Sequence, residues 1–111
     1  MNESPIFSKI HDLLVWLLQA TRKFPREHRF TLAEEISNQC FALQRALVAA
    51  SLDKRQEAEH LLAADIALTC LRRTLLICHE MKLLDDVPYR HVTQMTSEVG
   101  RLLGAWRKRA G

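Results

Sequence analysis

The stretch that decides the fold is HLLAADIALTCLRRTLLICHEMKLL, His60 to Leu84. It holds neither Gly nor Pro, and Ala64, Leu68, Leu71, Leu75 and Cys78 step by four, three, four and three residues. That spacing lays one apolar stripe along a long helix, the seam by which a helix packs against its neighbours. Leu62, Ile66 and Ile77 fall on the opposite side of the same helix. Burying three such side chains is worth on the order of 5 kcal/mol, so the outer side asks for a partner surface. Arg72 and Arg73 sit mid-helix, with no acidic residue between Asp65 and Glu80. The helix therefore combines a core face, an assembly face and a cationic belt.

Outward from this helix, proline and polar clusters cut the chain into four helical segments, roughly 5–23, 26/31–50, 54–84 and 88–108. Ser4-Pro5 opens the first, whose inward stripe is Phe7, Ile10, Leu14 and Leu17. Leu13, Val15, Trp16 and Leu18 make that helix apolar almost all round, a second sign of assembly with Trp16 in the contact. The basic connection RKFPREHR leads to the second helix, which starts just after Pro25 or at Thr31, where Thr31 and Glu34 have capping-box spacing. Its core stripe is Leu32, Ile36, Cys40, Leu43 and Leu47. Pro88 at a first helical position opens the fourth, with Val92, Met95, Val99, Leu102, Leu103 and Trp106 inward and a fraying WRKRAG tail. Gly100 and Gly104, one turn apart in that helix, point to close approach by another backbone. Short turns between long helices imply an all-α, up-down-up-down four-helix bundle.

The totals agree. A chain of 111 residues, 48% hydrophobic and 6% aromatic with three Gly and three Pro, suits one helical domain spanning 1–111. The formal charge is +3, a mild excess that permits an anionic partner without requiring one. Cys40, Cys70 and Cys78 are odd in number, lie in helical segments and include no CxxC, which reads as reduced thiols in a cytoplasmic protein. MNESPIFSKIHD has no basic region leading into an apolar core, and Leu13–Leu18 is too short to span a bilayer, so neither a signal peptide nor membrane association is expected.

Catalytic patterns fail on spacing. EAEH, Glu57 to His60, is one ExxH, whereas a di-iron bundle needs two plus two further Glu. Glu34-Glu35 is followed by Asn38 and Gln39, not by the second acidic pair of a magnesium-dependent helical pyrophosphatase. The five His are scattered, none with a ligand at i+4, and no glycine-rich phosphate loop occurs. No catalytic, metal or cofactor role is expected. The cations fall into groups instead. Arg22, Lys23, Arg26, Arg29, Lys82 and Arg90 meet Glu27, Glu80, Asp85 and Asp86 at one pole; Arg107, Lys108 and Arg109 gather at the other. Arg45, Arg72, Arg73 and Arg101 lie midway as candidates for nucleic-acid or partner contact, with Glu98 available to pair with one from a neighbouring helix.

LLAADIALTCLRRTL followed by SEVGRLLGAW resembles the accessory variability determinant (Avd) family of diversity-generating retroelements. KFPREHRFTLAEEI is also similar to the wider family of four-helix bundles encoded within ribosomal-RNA intervening sequences. The resemblance runs from about Ile6 to Arg107 and is most specific at GRLLGAW. It implies a homopentameric barrel of basic bundles that binds the element's reverse transcriptase and template RNA or cDNA, supports mutagenic retrohoming and leaves the chemistry to the polymerase. By position it places Arg72, Arg101 and, beside Arg72, Arg73 in the binding role. The short tail after Trp106 and the mild charge depart from the family pattern. A helical scaffold that recognises only protein is the other reading.

Overall fold

The computed structural model describes residues 4–111. Four helices account for the fold: α1 (Pro5–Thr21), α2 (Leu32–Leu52), α3 (Glu57–Glu80) and α4 (Asp86–Ala110). Single 3-10 turns, Arg26–His28 and Lys54–Gln56, lead into α2 and α3. Each helix contacts its neighbours in order and α4 closes on α1, an up-down-up-down bundle 42 Å long and 24 Å across. No strand occurs among the described residues, and none of their helices is long and apolar enough to cross a membrane.

The expected stripes build the core. Ile10, Leu14 and Leu17 of α1, Ile36, Cys40, Leu43 and Leu47 of α2, Ala64, Leu68, Leu71, Leu75 and Cys78 of α3, and Val92, Val99 and Leu103 of α4 are all buried. Ala67 and Thr74 widen the buried arc of α3 toward α2, which presents Ala42 and Ala46, partly buried, to the core. These small side chains let α2 and α3 pack most closely of all the pairs, while α1 and α2 pack least closely. The core thiols respond to their surroundings: burial raises Cys40 to about 12 and Cys78 to about 11.

Several boundaries differ from the sequence reading. α3 stops at Glu80 rather than Leu84, because Lys82 takes a left-handed backbone (φ 64) and the Leu83 N–H turns back to the Cys78 carbonyl at 2.8 Å. This closure usually employs glycine, and no glycine marks it here. His79 then braces the turn, with Nδ1 donating to the Leu84 carbonyl at 2.9 Å and its ring stacked on Tyr89 at 4.1 Å. α4 begins at Asp86, so Pro88 is third in the helix, where its missing N–H is still one of the unbonded group at a helix start. α2 begins at Leu32 with Thr31 as its N-cap residue, but Thr31 makes no side-chain cap hydrogen bond, so the capping box does not form. The tail remains helical to Ala110, held by Trp106 Nε1 donating to Glu57 at 2.9 Å and by Phe7 against the Trp106 ring.

The glycine expectation also changes. A Cβ on Gly100 would meet Leu68 Cδ2 at 3.6 Å, ordinary contact with a side chain, and one on Gly104 would meet nothing within 4 Å. Neither glycine marks a close backbone approach within the bundle. Gly104→Ala is expected to raise the unfolding free energy by about 1 kcal/mol, as expected for Gly in an exposed helix interior, read as a higher urea midpoint at unchanged slope. A lower midpoint would reveal another backbone packed at that spot.

Candidate nucleic-acid and partner interface

The midway arginines do not share one surface. Arg72 leaves α3 on the side of α4; its guanidinium passes Gly100 and reaches Ser97, with Nη2 donating to Oγ at 3.5 Å. Arg101 lies one turn beyond Ser97 on the outer side of α4. Its partner is Glu98 of the same helix, not a carboxylate on another: Nη2 and Nε donate to the two carboxylate oxygens at 2.7 and 3.2 Å. The bidentate bond holds Glu98 below the usual carboxylate range and Arg101 above its own. Both are solvated, so the pair orients the guanidinium more than it stabilises the fold.

Arg101 belongs to a longer row. Arg90, Gln94, Ser97, Arg101, Gly104 and Lys108 recur by four, three, four, three and four along α4, and all six line its outer side opposite Val92, Val99 and Leu103. All but Gly104 are polar, and all are exposed. At 1.5 Å per residue, Arg90, Arg101 and Lys108 are separated by about 16 Å and about 10 Å. Arg72 joins the row at Ser97. Among the described residues, Glu98 is the one carboxylate paired with it. Sequence reasoning assigned Arg90 and Lys108 to opposite poles and missed the row, although its three-four spacing was there to be read. Arg107, by contrast, is engaged: it bonds Asp65 of α3 and ties α4 to the central helix.

Arg73 and Arg45 lie elsewhere. Arg73 is on the outer face of α3, in register with Leu62, Ile66 and Ile77, which are 48%, 56% and 48% exposed. Arg45 stands on the outer face of α2 beside Phe41, Val48 and Leu52, all of them exposed. The expected assembly residues of α3 are therefore exposed, α2 has an exposed apolar side of its own, and each side carries one arginine. Trp16 sits apart from both sides. It is half-buried, tilted against His91 of α4 at 5.5 Å, and walls a hollow with Leu84 and Pro88. The apolar circumference of α1 is thus largely used by α4 and the core.

His60 bonds Asp53 at 3.1 Å across the α2–α3 turn, and the lone ExxH contributes a turn contact. No group of three or more His, Cys, Asp or Glu able to hold a metal occurs among the described residues. Cys70 is the exposed thiol, on the outer face of α3, whereas Cys40 and Cys78 are enclosed. A thiol reagent at pH 8 is expected to leave Cys40 and Cys78 unmodified in the native protein and to reach both after unfolding; rapid loss of either would contradict the packing of α2 on α3.

The bAvd-like family model matches residues 5–110, which is nearly the whole chain. No curated protein matches it.

Proposed function

The chain belongs to the bAvd-like family, and from that membership we propose that it is a non-catalytic accessory protein of a retroelement reverse transcriptase, holding template RNA or cDNA and the polymerase together. The observation that carries this reading is the row of exposed cations on α4, Arg90, Arg101 and Lys108, joined by Arg72 from α3. Cations spaced by about 10 to 16 Å along one helix suit several phosphates of one strand, and such contacts position a polyanion without reading its bases. The mechanism is electrostatic positioning, with no bond made or broken by this chain. Assembly strengthens it, because self-association through the outer α2–α3 surface repeats the row once per subunit and raises the local field. Arg73 and Arg45 serve the assembly surface in this reading rather than the nucleic acid.

A labelled single-stranded RNA titrated across a salt series tests the proposal. Each phosphate contact contributes about 0.7 to the slope of log affinity against log salt for a single strand. Replacing Arg72, Arg101 and Lys108 together by Ala is therefore expected to reduce that slope by about 2 while the helical content stays unchanged. Salt-insensitive retention, or no retention at low salt, would favour a scaffold that recognises only protein.

A further inference from the structure

A hollow of about 350 Å³ opens at the end of the bundle where α1 and α3 begin and α2 and α4 end. Two pairs of residues, each three apart in the chain, frame it: Lys54 with Glu57 where α3 starts, and Trp106 with Arg109 in the last turns of α4. The pairs are joined by the bond from Trp106 Nε1 to Glu57 at 2.9 Å. Phe7 meets the Trp106 indole at 6.1 Å and 63°, so the two rings form a bent aromatic wall rather than a closed stack. Both rings are half-buried and both line the hollow. Neither the α4 row nor the apolar sides of α2 and α3 include this site.

The polar groups around the hollow are unevenly committed. Glu57 accepts from Trp106 and Lys54, which hold its carboxyl below the usual carboxylate range, the Trp106 bond most of all. Lys54 gives one N–H to Glu57 and keeps the rest of its ammonium free. Arg109 has no ion-pair partner among the described residues. Ser4 makes no side-chain cap bond, and the Ser51 hydroxyl donates to the Val48 carbonyl at 2.8 Å, which leaves its oxygen free to accept. Aromatic faces suit a base of any kind, unengaged cations suit a phosphate, and small hydroxylated side chains suit a ribose. We propose that this hollow binds a nucleoside monophosphate, with its base against Trp106 and Phe7, its phosphate on Arg109 and Lys54, and its ribose at Ser4 and Ser51. The volume stands at the lower end of the roughly 300–1,000 Å³ of small-ligand sites, which matches one nucleotide and leaves no room for a stack of several. A bare anion would leave the aromatic wall unused, and an apolar ligand would leave Arg109 unanswered. The nucleotide is either free in solution or the terminal unit of a strand, since both present the same base, ribose and phosphate.

The indole N–H of Trp106 reports on the site by NMR. Trp16 and Trp106 are the only tryptophans, so each gives one indole signal, and Trp106→Phe assigns them. Adding AMP is expected to move the Trp106 signal to saturation and leave that of Trp16 in place. Adenosine, which lacks the phosphate, and ribose 5-phosphate, which lacks the base, are each expected to bind about tenfold more weakly or worse. Arg109→Ala, at an exposed position, should abolish the advantage of AMP over adenosine while the helical content stays unchanged. A 5′-phosphorylated tetra-adenylate separates the two sources: if it moves the same signal the site takes a strand end, and if AMP alone does so it takes the free nucleotide. Either result supports the site. A Trp106 signal that stays still with both ligands overturns it, as does equal binding of AMP and adenosine by the wild type. The α4 row is tested apart from it. The variant with Arg72, Arg101 and Lys108 replaced by Ala should bind AMP as the wild type does, and loss of AMP binding there would move the nucleotide to the row and overturn the end site.

Discussion

The constraint on which the structure depends is the double demand made by α3. Leu61, Leu68, Leu71 and Leu75 lie buried in the core. Leu62, Ile66 and Ile77 point the other way and are left half in water. A helix in a bundle of four can turn only part of its circumference inward, and nothing among the described residues covers the rest. The close packing of α3 on α2, through Ala42, Ala46, Ala67 and Thr74, makes the matter more acute. On α2, Phe41, Val48 and Leu52 are exposed in the same way. In the proposed function this exposed apolar side is an interaction site.

That part of the fold was legible because periodicity reports faces directly. The four-three stepping of Ala64 to Cys78 identified the core side of α3, and the residues left over identified the outer side. What periodicity does not report is the chain's behaviour at its turns. α3 ends four residues early because Lys82 adopts a left-handed conformation that lacks the usual glycine signature. Thr31 and Glu34 have capping-box spacing, yet the Thr31 side chain makes no cap bond. Ion-pair choice is equally hidden: Glu98 takes Arg101 from its own helix, and Arg107 takes Asp65 from another, although both arginines looked unencumbered in the sequence. The α4 row was legible in principle, but grouping cations by their position along the bundle separated Arg90 from Arg101 and Lys108.

In the proposed function the two surfaces divide the work. α4 carries exposed cations in a row, with Gly104 leaving open space among them, while the outer α2–α3 hairpin is apolar with isolated charges. On that proposal, keeping a polyanion on one helix and self-association on others means that assembly would not hide the cations. It would instead repeat them, adding the formal charge of +3 once per copy. The bAvd-like family, to which the chain belongs, is an accessory, non-catalytic kind of protein.

The central claim is that the outer side of α3 is covered in the working protein, and the mass of the protein in solution addresses it most directly. Light scattering on the wild-type chain over a dilution series should give, at micromolar concentration, a mass several times the 12.8 kDa of one chain, falling only at much lower concentration. A steady 12.8 kDa throughout would mean that α3 tolerates its exposed face, and the assembled cationic surface would have no basis.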